Sequence, residues 1–309
     1  MKILVTGGAG FIGSNIVEEL IKNGHEVVIL DNFSLGSMEN LESVKDGVMV
    51  VKGDIRDEQL VNQLAEGCDV ISNMAAASSS PMFKASLKEA VEINVLGFIN
   101  VLNAAKKNGV KRVVFASSSS IYGNNPPPLR EDMKVEPPNF YSATKFKNEH
   151  TARLFSQEYG LETIGFRYMS VYGPHEKPKG TYANLVSQFL WCMKNGEPPV
   201  IYGDGTQTRD FVFVKDVVQA NMLAMFTKKR FLGEIFNVGT GRAVSVNEMI
   251  TILNKALGKN LTPKYIPTPV KNYIETQLAD LTKIKRELGY NHKYSLEDGI
   301  RYLVENYND

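Results

Sequence analysis

Short apolar runs at residues 2–6 (KILVT), 27–30 (VVIL), 48–51 (VMVV), 70–73 (VISN), 110–116 (VKRVVFA) and 163–167 (TIGFR) read as strands. Most are apolar at consecutive positions, the pattern of strands buried on both faces. Between them the spacing turns helical. The clearest helix is expected over about 86–108, where Leu87, Val91, Val95, Phe98, Leu102 and Ala105 recur every three or four residues and Gly109 follows as a stop. A second is expected over 140–159, ended by Gly160. A third is expected over 296–307, opening on Ser295-x-x-Asp298 and carrying Ile300, Leu303, Val304 and Tyr307 on one face. Strand and helix in regular alternation predict an α/β fold, a parallel sheet covered by helices on both sides.

After about residue 171 the alternation breaks down. Loop-like stretches at 173–180, 195–199 and 203–208 separate shorter elements. The expected division is a large domain over 1–172, with 208–240 returning to it, and a smaller α/β lobe from 173–207 and 241–309. Hydrophobic residues at 43% and charged residues at 22% are an ordinary globular mix, and a net charge of +1 offers nothing to drive binding to nucleic acid or an anionic membrane. No apolar run approaches the ~18 residues of a membrane span. The apolar start breaks at Thr6 and Gly7, too early for a signal peptide. Two cysteines, Cys68 and Cys192, suit a reducing compartment. A soluble cytoplasmic protein without a metal site is expected.

Three constellations could carry chemistry. Gly7-x-x-Gly10-x-x-Gly13 follows the first strand and opens a helix, so the backbone can turn tightly and approach a pyrophosphate at the helix N-terminus. Asp31 ends the next strand, where a carboxylate would bond an adenosine ribose. No Lys or Arg occupies 32–38, which favours NAD over NADP. Asp54 and Ile55, after the third strand, either flank the adenine or form a surface turn. The second constellation is Tyr141-x-x-x-Lys145, on one face of a helix. Using the phenol as a base near neutral pH means lowering its pKa by ~3 units, about 4 kcal/mol. A cation ~5 Å away at an effective dielectric of ~20 supplies roughly 3 kcal/mol, and an oxidised nicotinamide adds a second charge. The third is the serine run 117–120, either hydroxyls for a substrate at the C-terminal sheet edge or a polar strand end. Asn94, on the apolar helix face, is either a structural hydrogen-bond post or part of a proton relay.

TGGAGFIGSN (6–15), ILDN (29–32), GDIRD (53–57), NVLGFINVLNAA (94–105), SSSSIYG (117–123), YSATK (141–145), RYMSVYGP (167–174) and RDFVFVKDV (209–217) occur in order along the chain. Together they resemble the extended short-chain dehydrogenase/reductase family, the NAD-dependent epimerases and dehydratases of nucleotide sugars. The resemblance implies a Rossmann-type doubly wound sheet with a smaller substrate lobe, and Ser118, Tyr141 and Lys145 as the catalytic set. It implies Phe11, Ile12, Asp31, Asn32, Asp54, Ile55, Met74, Ala75 and Asn94 near NAD, with Ala76 and Met169 beside them. Arg209 would grip the substrate diphosphate, Asn184 and Tyr202 would lie near the nucleotide, and Ser170, Lys179, Lys271 and Gln277 complete the expected substrate set. A homodimer through the helices at 86–108 and 140–159 is implied as well.

Subfamily follows by exclusion. The 4,6-dehydratases carry an Asp-Glu pair after the catalytic hydroxyl and the decarboxylases a Glu in this region; here Ser119 and Ser120 stand instead. That resembles a UDP-glucose or UDP-N-acetylglucosamine 4-epimerase. The segments at 179–189, 236–245 and 265–283 are similar to ADP-heptose 6-epimerases, in which a lysine matching Lys179 is a second base. Gln277 stands where the 4-epimerases gate room for an N-acetyl group. Asn73, Ser170, His175 and Lys271 depart from the family pattern and bear on substrate more than on cofactor. A net dehydrogenase or reductase and a non-catalytic dinucleotide sensor are the competing functions; the sensor tends to lose the tyrosine or lysine retained here.

Overall fold

The computed structural model describes residues 1–268 and 274–306. Seven parallel strands form one sheet in the order Leu232–Val238, Glu162–Tyr168, Arg112–Ala116, Val70–Asn73, Lys2–Thr6, Glu26–Asp31, Val48–Lys52. All six expected strands are there within a residue or two. The seventh, Leu232–Val238, pairs with Glu162–Tyr168 and brings a late stretch of chain back to the sheet. Strand order reverses beside Lys2–Thr6, whose ends on this edge are tied to Val70–Asn73 by Thr6 Oγ1 donating to Asn73 Oδ1 at 2.8 Å. Such a reversal opens the crevice where ligands of this architecture sit.

The strands are apolar on both faces because each face has its own core. Ile3, Val5, Val27 and Ile29 pack against Ile16, Val17 and Leu20 of the helix Phe11–Lys22. Leu4, Val28, Leu30 and Ile71 pack on the opposite side with Phe98, Val101 and Leu102 of Phe98–Lys107. A separate, smaller core gathers Tyr172, Val186, Met193, Phe213, Met249, Ile300 and Leu303 from the later part of the chain.

The helix expected over 86–108 is more broken than its spacing suggests. It runs as Leu87–Val91, a π-helical stretch Glu92–Gly97, and Phe98–Lys107. The π stretch shifts the buried stripe, so Leu87 is exposed while Ala90, Asn94, Gly97 and Phe98 face inward. Gly97 is needed there: a Cβ would meet the Ile55 side chain at 2.5 Å. Phe140–Tyr159 has the expected bounds, with Asn139 and Ser142 forming a reciprocal cap at the start and Gly160 left-handed at φ 69° at the end. The final helix spans Leu296–Asn306, opened by Ser295 and Asp298 side chains as the sequence suggested; Tyr307 lies outside the described residues.

Candidate active site

A cavity of about 500 Å³ runs along the C-terminal edge of the sheet. Its cofactor end is built from backbone. Gly7 turns at φ 68°, and a Cβ on it would lie 2.6 Å from the Ala75 nitrogen. A Cβ on Gly13 would come within 2.1 Å of the Gly7 carbonyl oxygen. The helix Phe11–Lys22 therefore starts hard against the turn, with its N-terminal amides and dipole directed at the cavity. Gly10, Phe11 and Ile12 line this end, with Met74, Ala75 and Ala76 opposite.

Asp31 is buried beside them. Its carboxylate accepts from Ala9 N at 2.9 Å and Phe33 N at 2.8 Å. Burial pushes its pKa up, and these backbone donors pull against that. Asn32 donates to Asp54 at 2.9 Å. Burial pushes Asp54 up too, but the Arg56 guanidinium and Asn32 outweigh it and hold the carboxyl at about 2. Glycine cradle, helix N-terminus and buried carboxylate fit a dinucleotide.

At the other end the catalytic candidates meet. Ser118, two residues past the strand Arg112–Ala116, caps the turn Ser119–Tyr122, accepting from Ser120 N at 3.1 Å and sharing a hydrogen bond with Ser120 Oγ at 2.8 Å. Tyr141 and Lys145 face the cavity from one side of Phe140–Tyr159. The Lys145 ammonium donates to the Ala116 carbonyl at 2.9 Å and lies 6.0 Å from the centre of the Tyr141 ring. Burial drives both groups toward their neutral forms. It pulls Lys145 from 10.5 down to about 8. It pushes the Tyr141 phenol above 10, while the Ser118 hydroxyl pulls it back. The lysine alone therefore does not deliver the lowered phenol expected from simple Coulomb arithmetic, because burial of the phenol outweighs one nearby cation.

A buried network holds this corner. Ser117 donates to Glu149 at 2.5 Å, and Arg167 meets the same carboxylate through two bonds of 2.9 and 2.7 Å. Arg167 also lies over the Tyr122 ring, whose hydroxyl donates to Asn237 at 2.8 Å. The serine turn, the tyrosine helix and two strands are thus tied together beneath the reacting groups.

The substrate side is met in part. Met169, Ser170, Lys179, Asn184 and Gln277 line the cavity, and Gln277 donates to Ser119 at 3.2 Å. Asn184 also caps the helix Leu185–Lys194. Three expected residues do not line it. Arg209 directs its guanidinium to the carbonyls of Thr208 at 2.7 Å and Glu275 at 3.5 Å, which ties it to the neighbouring segment. Tyr202 projects from the outer strand Val200–Tyr202 and is 41% exposed. Asn94 is consumed by Ala77 N at 2.8 Å, Ala77 O at 3.2 Å and Thr144 at 3.1 Å, which makes it a post for the loop leaving Val70–Asn73. Lys271 lies outside the described residues.

The family model described as the NAD dependent epimerase/dehydratase family matches residues 3–239. The chain belongs to that family. It is 37% identical over 308 residues to a putative UDP-glucose 4-epimerase of Methanocaldococcus jannaschii, covering 98% of this chain and 97% of that one. Among solved structures, the UDP-glucose 4-epimerase of Thermotoga maritima with UDP-glucose superposes at a TM-score of 0.93, with 37% identity over 99% of this chain and 98% of that one. The UDP-N-acetylglucosamine 4-epimerase of Methanobrevibacter ruminantium in complex with UDP-N-acetylmuramic acid superposes at 0.92, with 32% identity over 98% and 97%. As a member of this family the protein is an NAD-dependent nucleotide-sugar epimerase.

Several lining residues of this epimerase escaped the sequence reading. Ser34, Leu35 and Gly36 close the adenosine side, and Ser78, Ser79 and Ser80 continue from Ala77. The signal for the second group was available, since they follow a strand at the sheet edge where ligands collect. Asp210 is another. Wholly buried, it accepts from Thr240 N, Thr240 Oγ1, Gly241 N and Ala279 N, fixing the segment that carries Gln277.

Proposed function

We propose that the protein interconverts C4 epimers of a UDP-sugar, UDP-glucose or UDP-N-acetylglucosamine, through a 4-keto sugar. The observation that carries this is the convergence of Ser118, Tyr141 and Lys145 on a dinucleotide cradle, with Ser119 and Ser120 in place of the acids an elimination or decarboxylation would use. Tyr141 takes the proton from the sugar 4-hydroxyl, and Ser118 hydrogen-bonds the same oxygen and the phenol. Lys145 stabilises the phenolate as it forms. NAD, held at the Gly7–Gly13 turn and Asp31, would supply reversible hydride acceptance at C4 and the positive charge that the buried phenol lacks. Ser170 and Gln277 bound the space in which the ketone turns over.

The apolar surface of the two long helices supports a homodimer. Leu87, Leu96, Phe140, Leu154 and Tyr159 are each more than 40% exposed, and all lie on or between these helices. No helix among the described residues is long and apolar enough to cross a membrane. Both cysteines are free thiols, which supports a cytoplasmic location.

The test is turnover of UDP-glucose, UDP-N-acetylglucosamine and GDP- and ADP-sugars followed by mass spectrometry and chromatography. UDP-glucose and UDP-galactose, or their N-acetylated forms, should interconvert with no accumulation of NADH. Steady NADH absorbance would point to a net dehydrogenase. Tyr141→Phe should lose at least the ~10²-fold typical of a general base while still binding NAD; wild-type turnover in that variant would refute the assignment.

A further inference from the structure

The cavity holds one cation outside the catalytic set whose position is fixed before any ligand arrives. Its charged lining, among the described residues, is Asp31, Asp54, Lys145 and Lys179. Lys179 comes from a loop pinned onto the cofactor helix. Asn15 of that helix donates to the Pro174 carbonyl at 3.1 Å, Ser14 shares a hydrogen bond with His175 Nδ1 at 3.0 Å, and Asn40 donates to the His175 carbonyl at 3.2 Å. His175 adopts φ 69°, in the left-handed region uncommon for residues other than glycine, and Glu176 follows it into the interior. The Glu176 carboxylate is fully buried and accepts from Asn184 N at 2.8 Å, Ser187 Oγ at 2.6 Å and Lys179 Nζ at 3.0 Å.

That last contact sets the lysine over the cofactor end. The Lys179 ammonium lies 5.2 Å from the centre of the Phe11 ring. Phe11 is the first residue of the helix whose N-terminus meets the glycine turn. An ammonium has three donors, and the Glu176 contact uses one. A pyrophosphate drawn to the helix N-terminus on one side would then meet a fixed cation from the other.

We propose that Lys179 locks the cofactor, closing over the dinucleotide pyrophosphate from the loop opposite, with Glu176 as the residue that positions it. The proposal rests on the NAD reading of the cavity. It gives the site a means of retaining NAD through a cycle that begins and ends with the oxidised form, where loss of the cofactor midway would strand the ketone. It also assigns Lys179 a role other than that of a second base.

Calorimetric NAD titration and NAD retained after desalting, both without nucleotide sugar, test it in the full-length protein. Lys179→Gln keeps a donor for Glu176 but removes the charge, and it should weaken NAD about 10- to 100-fold, the range for a lost charge-assisted hydrogen bond. Lys179→Arg should recover most of the affinity, and adenosine, which has no pyrophosphate, should bind wild type and Lys179→Gln alike. Rising salt should weaken NAD more in wild type than in Lys179→Gln. Unchanged NAD affinity in Lys179→Gln would overturn the lock. Equal losses in the Gln and Arg variants, with a lower Tm for both NAD-free proteins, would overturn it in favour of a packing role. Failure of the wild type to bind NAD would overturn the cofactor reading itself, a result distinct from both.

Discussion

Replacing Lys145 by methionine should make the NAD-free protein more stable and the enzyme worse. The side chain is 4% exposed, and its ammonium donates to the Ala116 carbonyl at 2.9 Å. Burial lowers its pKa from 10.5 to about 8. At ~1.4 kcal/mol per pKa unit, the ammonium costs the folded state roughly 3 kcal/mol at neutral pH. The sign follows from the direction. A base whose folded pKa is depressed destabilises fully below pH about 8, where the buried ammonium is kept, and the penalty fades as pH rises toward the unfolded value of 10.5. Methionine removes the charge and fills a similar volume, but it forfeits the bond to Ala116, worth about 1 kcal/mol. A net gain of about 2 kcal/mol should raise Tm by roughly 4 °C at pH 7 for a chain of this size. Thermal unfolding at pH 7 and pH 10 reads both parts: the gain at pH 7 should largely vanish at pH 10. The same variant should hold NAD less firmly and shift the base-side limb of its pH–rate profile upward. A Tm no higher than wild type at pH 7, or a gain that persists at pH 10, would refute the argument that burial of this charge is a cost borne for catalysis.

Cofactor choice is read at Asp31: it is buried and bonded to Ala9 and Phe33, residues 32–38 hold no Lys or Arg, and Arg56 is engaged with Asp54, Glu89 and Glu92. Fluorescence titration should find NAD bound more tightly than NADP, and equal affinity would contradict this. Gly13→Ala should abolish NAD binding and lower Tm, since its Cβ would sit 2.1 Å from the Gly7 carbonyl oxygen, a backbone atom that cannot swing aside; a variant with normal NAD affinity would show that the cradle is looser than described. Leu96→Glu combined with Leu154→Glu should yield a monomer by analytical ultracentrifugation with unchanged circular dichroism, because the two leucines are 53% and 58% exposed in the single chain. A dimer surviving both changes would place the interface elsewhere.

The cofactor half was legible because its constraints are local. Gly7, Gly10 and Gly13 follow a strand and open a helix, and Asp31 ends the neighbouring strand; both relations depend on short-range order that survives in one dimension. The pair Tyr141 and Lys145 was legible for the same reason, as two positions one helical turn apart. Spacing could not reveal their protonation. The phenol's pKa depends on how much water the fold removes, and here burial reverses the direction that charge proximity alone suggested.

The substrate half was less legible because its residues act through distant partners. The family resemblance implies a diphosphate grip for Arg209, and the fold adds contact of its guanidinium with the carbonyls of Thr208 and Glu275. That contact could be found only by knowing that residues 274–281 cross back over the site, a placement enforced by Asp210 through Thr240, Gly241 and Ala279. Glu149 and Arg167 make the same point beneath the catalytic serines. In the sequence they are a helix-face acid and a strand basic residue, 18 positions apart. In the fold both are buried, so each is bound to the other, and Ser117 donates to the same Glu149 carboxylate. Polar residues with no local reason to be where they are mark where separate parts of the chain are fastened. In this protein they lie under or beside the cavity, where the reacting groups must be held to within fractions of an ångström.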